Sequence, residues 1–284
     1  MDRENDMPRR NERERYALGY SDKVLEWLRR RSVKTHATFL LPHLHSGMRV
    51  LDCGCGPGSL TLDLARLVTP GSVIGLDIEG AQFAYAQELA RTEGIENVSF
   101  EVGSAYELPF EDESFDLVFA HATLFHLSDP GRALREFQRV LKIGGLIAVR
   151  DTDYSTWQLE PETPLLAQMR ELILKYMQTR GASPTYARRM RSYLVDAGFT
   201  RTEAYASCVS NGTPERVRTS ASTYLGYLQA PDILIAIKEQ DERSVGSISS
   251  DELEAIRAEV HAWSERPDAF ELLIWREGLA WRDK

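Results

Sequence analysis

The chain has 284 residues, 43% of them hydrophobic and 27% charged, with a formal net charge of −9. That composition belongs to a globular protein able to bury a core, and its acidic balance gives no general attraction to nucleic acid or an anionic membrane. No apolar run is long enough to span a bilayer, the opening "MDRENDMPRRNERERY" lacks the apolar centre of a signal peptide, and the three cysteines suit a reducing compartment, so a cytoplasmic protein is expected.

Residues 1 to about 15 are almost free of apolar side chains and read as a frayed or solvated segment. From Tyr16 the pattern changes: Val24, Leu25, Trp27 and Leu28, then Phe39, Leu40 and Leu41, recur at helical spacing until Pro42 and Gly47. Residues 1–45 are thus a charged segment followed by a helical cover.

A strict alternation follows. Strands are predicted over 48–53, 72–78, 98–103, 114–122 and 145–152. Helices are predicted over Ser59 to Val68, over 80–94 and over 130–142, the last stopping before Gly144. Strands alternating with helices of this length imply a parallel sheet covered on both faces. Beyond Asp153 come helices near 162–180 and 185–197, then a sixth strand, "TEAYASCV". Residues 213–266 read as helical, with Ser249 or Ser250 and Glu252 forming a start signal. "DAFELLIWREGLAW" reads as a closing strand with Gly278 as a bulge. The units are 1–45, a core of 46–212 plus 267–284, and a helical insertion of 213–266.

The turn after the first strand, "DCGCGPGS", asks for a ligand. Glycines let a backbone approach one closely, and the helix that follows offers unpaired N–H groups. A dinucleotide fingerprint needs a third glycine where Ser59 stands, and the lysine of a P-loop is missing, so the turn suits a nucleoside without a pyrophosphate. Asp77 ends the second strand, beside that turn in a parallel sheet, where a carboxylate can accept both ribose hydroxyls. "VGSAYELPF" follows the third strand and can hold an adenine edge; "FDLVFAHATLFHLSDP" ends the fourth in a histidine-containing loop. The Cys53-x-Cys55 pair reads as small residues under a turn rather than a metal site.

This ordered set, Asp52–Gly54–Gly56–Pro57–Gly58, Asp77, "GSAYELPF" and "FDLVFAHATLFHLSDPGRALREFQRVLKIGGLIAVRD", resembles the class I S-adenosylmethionine-dependent methyltransferases, most of all the ubiquinone/menaquinone-type small-molecule branch. The resemblance implies an α/β, Rossmann-like sheet of seven mostly parallel strands with the last strand antiparallel. It implies S-adenosyl-L-methionine as methyl donor. Donor contacts then fall on Tyr20, Asp52, Gly54, Cys55, Gly56, Pro57, Asp77, Ile78, Ser104, Ala105, Tyr106 and His121. Ser104 stands where many members carry an aspartate for the adenine amine.

Open α/β sheets bind ligands beyond the carboxyl ends of their strands. That points an acceptor toward His121, His126, Asp151, Asp153 and Tyr154, with Tyr16 or Tyr20 as cover. These five are the candidate catalytic residues, the histidines and aspartates as candidate bases. Arg29, Arg30 and Arg31 form a basic run that either is solvated or steers an anionic acceptor. The insertion, with Tyr224, Tyr227, Leu228, Ile233, Leu234 and Ile237, roofs the acceptor, makes a homodimer contact or simply caps the core. The expected function is in-line methyl transfer to a small-molecule oxygen, nitrogen or carbon, without nucleic acid. The rivals are a non-catalytic donor-binding module or partner subunit, a nucleic-acid or arsenite methyltransferase, and a dehydrogenase.

Overall fold

The computed structural model describes residues 22–229 and 248–283. The expectations for Tyr16, Tyr20, Ile233, Leu234 and Ile237 lie outside the described residues. A helix α1, Asp22–Arg29, a short turn α2, Val33–His36, and a 3-10 stretch, Thr38–His43, precede the sheet. The chain then runs β1 (Arg49–Cys53), α3 (Ser59–Val68), β2 (Ser72–Asp77), α4 (Phe83–Glu93), β3 (Val98–Val102), β4 (Phe115–His121), α5 (Pro130–Val140) and β5 (Leu141–Glu160). It continues through α6 (Pro164–Thr179), α7 (Met190–Asp196), β6 (Arg201–Asn211), α8 (Pro214–Gln229), α9 (Ser250–Ser264) and β7 (Phe270–Trp281).

The seven strands lie in the order β3-β2-β1-β4-β5-β7-β6. β3, β2, β1, β4 and β5 pair in parallel, while β7 runs antiparallel to both β5 and β6. β1 therefore sits at the switch point, where the chain first winds toward β3 and then returns to the other side. In open α/β sheets that crevice is where ligands bind.

Alternation along the strands divides the core between the two faces. Val50, Leu117, Phe119 and Ala148 join Leu60, Leu64 and Val68 of α3 and Val33 and Leu40 of the N-terminal cover. Leu51, Val118, Ala120, Ile147 and Val149 face the other way, onto α5, α6 and α7. α5 shows why such a helix docks where it does. Asp129 caps it, accepting from Arg132 N at 3.0 Å, and Pro130 occupies the first turn, where no intrahelical N–H is needed. Ala133, Leu134, Phe137 and Val140 then form one buried stripe. Truncating Phe137, fully buried, to Ala costs about 3–5 kcal/mol.

Two sequence expectations need correction. The fifth strand is not 145–152 but the whole of Leu141–Glu160, beginning where α5 ends at Val140 and continuing well past the parallel core. Gly278 is not a bulge: it pairs in regular register with Val149 and Ala204. The irregularity lies on β5 instead, between Asp153 and Gln158. The glycine signal misled because a bulge here rests on a side-chain bond, with the Thr156 hydroxyl accepting from Ile274 N at 3.0 Å. The capping box at Ser249 and Glu252 is formed.

Candidate active site

The turn after β1 is shaped by its neighbours. Gly54, Gly56 and Gly58 all have positive φ, at 78°, 53° and 78°. A Cβ on Gly54 would lie 2.3 Å from the Thr123 hydroxyl, so the β1 turn and the loop after β4 can close only over a glycine. A Cβ on Gly58 would lie 2.6 Å from that of Ala86 and 2.7 Å from the Phe100 ring. Gly58 thus supplies the close helix–strand approach that a dinucleotide fingerprint assigns to its third glycine, the place held here by Ser59. The Gly54 and Cys55 amides donate to Leu76 O at 2.7 and 3.1 Å, tying the turn to β2.

Register brings Asp77 to this turn. Cys53 pairs with Leu76, so Asp77 sits one step further, opposite Gly54. Its Oδ2 accepts from Gly56 N at 2.9 Å and its Oδ1 from Glu79 N at 3.0 Å. Each oxygen keeps a lone pair for a ligand hydroxyl. Burial raises its pKa, and those amides oppose the rise. Asp52, 2% exposed, accepts from the Thr61 hydroxyl at 2.6 Å. Burial pushes its carboxyl up to about 7, Thr61 pulling it back and the Asp77 charge adding to the rise.

A first cavity runs over this ground. It is lined by Asp52, Gly54, Cys55, Gly56, Pro57, Asp77, Ile78, Ala105 and His121 among the expected donor contacts. Leu28, Arg31, Gln82, Thr123 and His126 complete much of its wall. Ser104 and Tyr106 are not among its lining residues. The Ser104 hydroxyl turns back to accept from Tyr106 N at 3.1 Å, and the Tyr106 hydroxyl accepts from Asp129 N at 2.9 Å, so both brace the loop around Ala105.

A second chamber, of about 530 Å³ against about 100 Å³ for the first on the same measure, opens beside it. Its floor is the part of the sheet that rises beyond the parallel core: Glu271, Leu273 and Trp275 of β7 and Val209 and Asn211 of β6, alternate residues on one face. The β5 irregularity brings in Tyr154 and Trp157. One helical face of α8, with Thr219, Ser220, Thr223, Tyr224 and Tyr227, makes a wall, and Ile173 and Met177 of α6 another. Arg31, Ala122 and His126 line both cavities.

Glu271 organises the far end of the chamber. Its Oε1 accepts from Trp157 Nε1 at 3.1 Å and from the Tyr224 hydroxyl; its Oε2 accepts from Asn211 Nδ2 at 2.7 Å and from the Ser220 hydroxyl. Every lone pair of the carboxylate is used. Burial raises its pKa and these donors oppose that.

Asp151 and Asp153 line neither cavity. Asp151 is fully buried under the Leu124–His126 turn. Burial raises its carboxyl to about 8, while the amides of Thr123, Phe125 and Leu124 point toward it without closing hydrogen bonds of normal geometry. Asp153, also fully buried, accepts from Arg276 at 3.1 and 3.2 Å and from the Ser155 hydroxyl at 2.5 Å. Both aspartates sit at the expected strand end, two residues apart on one face of β5 and paired in regular register with Arg276 and Ile274, and that face is not the one that lines the cavities. The histidines of the junction are neutral. Burial, then the Arg31 charge, holds His36 near 4 and His126 near 3, and pushes His121 well below its ordinary value.

Several contributors escaped the sequence reading. Arg31 was one of three adjacent arginines with nothing to single it out. Glu271 left a trace, a lone acid on the inward phase of an apolar strand. Gln82 left none: its Oε1 is buried in the first cavity without a hydrogen-bond partner.

Among known proteins, the model of the methyltransferase domain family matches residues 44–198. An uncharacterized methyltransferase of Schizosaccharomyces pombe is 34% identical over 201 residues, 68% of this chain and 71% of that protein. A probable methyltransferase of Aspergillus luteorubrus is 29% identical over 282 residues, 94% of this chain and 97% of that one. In three dimensions, the phosphoethanolamine N-methyltransferase 2 of Haemonchus contortus in complex with S-adenosyl-L-methionine superposes with a TM-score of 0.55 at 20% identity, covering 88% of this chain and 53% of that one. The first cavity fits such a donor: a carboxylate with free lone pairs for a ribose, a buried amide oxygen lacking a partner, and a glycine turn with space above Gly56. The chain therefore belongs to the methyltransferase domain family and is an S-adenosylmethionine-dependent methyltransferase.

Proposed function

We propose that the first cavity holds the donor, that the second holds a small-molecule acceptor, and that the transferred methyl crosses where the two meet. The observation that carries this reading is the shared wall of Arg31, Ala122 and His126. Bound donor supplies a methyl already activated on a sulfonium. Asp77 takes the ribose hydroxyls, the turn from Gly54 to Pro57 backs the methionyl part, and Ala105 with Ile78 flanks the adenine.

The chain's own residues act chiefly by position. His36, His121 and His126 are too weakly basic to keep a proton at neutral pH. Asp151 and Asp153 are fully buried and line neither cavity. That favours an acceptor needing no protein base, either a neutral amine or a group acidic enough to ionise unaided. Alignment of two reactants in a closed site is worth roughly 7–11 kcal/mol, which suffices for an activated methyl. His126 and Tyr154 shape the passage, and α8, the first described helix of 213–266, roofs the acceptor.

The chamber's inner face carries six aromatic rings, Phe125, Tyr154, Trp157, Tyr224, Tyr227 and Trp275, with polar groups at the Glu271 end. A compact organic molecule with one polar end suits it better than a nucleic acid, which an acidic chain would repel. The test is transfer of label from tritiated S-adenosylmethionine to a metabolite extract. Label in the small-molecule fraction is expected. Donor binding with no labelled product would favour a non-catalytic module, and label in nucleic acid would overturn the acceptor class.

A further inference from the structure

Glu271 fixes the sense of every hydrogen bond around it. A carboxylate offers only lone pairs, so each group that bonds to it must bring a proton. Trp157 directs its one side-chain N–H to Oε1 at 3.1 Å, and Tyr224 directs its hydroxyl proton to the same oxygen. Ser220 gives its proton to Oε2. Asn211 uses its amide nitrogen twice, toward Oε2 at 2.7 Å and toward the Ser220 hydroxyl oxygen at 3.1 Å. Turning that amide over would set two oxygens against each other, so its orientation is fixed. What Asn211 keeps for a ligand is its carbonyl oxygen, and what Tyr224 keeps is the lone pairs of its hydroxyl.

The α8 wall repeats the pattern by a different means. Thr219 donates its hydroxyl proton to Glu215 O at 2.8 Å and Thr223 to Thr219 O at 3.1 Å, each one turn back along the helix. Both residues line the chamber, and both hydroxyl protons are committed to the helix. The rings of Trp157 and Tyr224, with centroids 5.1 Å apart, add faces that carry the negative side of the aromatic quadrupole. Side chains from β5, β6, β7 and α8 thus converge with their protons directed into the protein. Arg216, one turn before Ser220, is the exception on this wall, and its Nη1 donates to Ser210 O at 3.5 Å.

We infer that the Glu271 end of the second chamber selects methyl acceptors whose far end carries a hydroxyl or an amine, and rejects those that carry a carboxylate or a carbonyl there. The inference rests on the assignment of the second chamber to the methyl acceptor. A hydroxyl or amine finds a lone pair on Asn211, Tyr224 or the threonines. A carboxylate or ketone oxygen finds none of their protons and is brought toward the Glu271 charge. The hydrogen-bonding group lies at the opposite end of the chamber from Arg31, Ala122 and His126, so it is remote from the atom that takes the methyl.

Ligand-observed NMR titration of the protein saturated with S-adenosylhomocysteine tests it, using four probes on one ring system: 2-naphthol, 2-naphthylmethylamine, 2-methoxynaphthalene and 2-naphthoate. The naphthol and the amine are expected to bind about 5- to 10-fold more tightly than the methoxy compound, and the naphthoate more weakly than any. Glu271→Gln puts a donor where only lone pairs stood and releases the protons and the orientation of its partners, so the gap between naphthol and methoxy compound should shrink to about 2-fold or less. Thr223→Val leaves the Glu271 set intact and should narrow the gap by about 2-fold with the order kept. A wild type that holds the methoxy compound as tightly as the naphthol would overturn the inference, and so would a folded Glu271→Gln protein that keeps the full gap. Tightest binding of the naphthoate would overturn it too and give this end to Arg216. Failure of every probe to bind, or displacement of S-adenosylhomocysteine by them, would remove the chamber's assignment and the inference with it, a different failure from equal binding of all four.

Discussion

The first cavity and the second chamber, proposed to hold donor and acceptor, lie side by side, yet they are built by different means. The first comes from short turns at the ends of β1, β2 and β4, with Gly54, Gly56 and Gly103 among its lining residues. The second comes from side chains on β5, β6, β7, α6 and α8, brought together by strands that rise past the core. A turn whose glycines lie at positive φ against the Thr123, Ala86 and Phe100 side chains admits few sequences. A chamber about five times roomier and walled by side chains can be reshaped one substitution at a time. The difference makes separable predictions.

The largest effect is expected at Asp77. Asp77→Ala removes the acceptor for Gly56 N and, on the proposed reading, for two ribose hydroxyls. Donor affinity should fall about 10²- to 10³-fold, each hydrogen bond to a charged group being worth roughly 1.5–3 kcal/mol. Calorimetry with S-adenosylhomocysteine measures it, circular dichroism checks that the fold survives, and an unchanged affinity would break the donor assignment.

Glu271→Gln examines the other side. The amide turns two accepting positions into donors that face the donors already there. The acceptor KM should rise roughly 10-fold, from a loss of about 1–3 kcal/mol, with donor affinity within about 2-fold. A matching loss of donor affinity would show that the two cavities are not independent.

The same contrast explains what could be read from sequence. Asp52, the glycine turn and Asp77 are legible because a parallel sheet converts strand ends into neighbours, and strand ends are visible as apolar runs stopped by glycine or acid. The acceptor side is not legible. Nothing local shows that β5 continues to Glu160, that Thr156 holds a bulge, or that Glu271, Asn211, Ser220 and Trp157 meet. Asp151 and Asp153 illustrate the limit: their position along the strand was foreseen, but which face of β5 packs inward depends on its pairing with β4 and β7, which no local pattern shows.

A smaller effect follows from Asp52, whose carboxyl in the free protein is raised to about 7. Asp52 lines the first cavity, so on the proposed reading the donor's cationic tail stabilises its ionised form and lowers its pKa in the complex. Below about pH 7 binding must expel a proton, and donor affinity should fall by up to about tenfold per pH unit; above it, affinity should be flat. Calorimetry in two buffers of different ionisation enthalpy counts the proton released. Affinity that rises as pH falls would put the positive tail elsewhere.

The smallest effect on transfer is expected at Asp151, and it separates scaffold from chemistry. In the native protein its carboxyl is raised to about 8, whereas an unfolded aspartate ionises near about 3.9. Between those values the native state holds a proton that the unfolded state has released. Stability therefore falls as pH rises through that window, and the loss is complete above the native pKa. Asp151→Asn keeps the shape and cannot ionise. Denaturation midpoints at about pH 5 and about pH 8 should then differ less in the variant than in the wild type, while the rate of label transfer stays within about 2-fold. A rate that collapsed with the midpoints unchanged would return Asp151 to the chemistry, as a proton carrier reaching the acceptor through the turn above it.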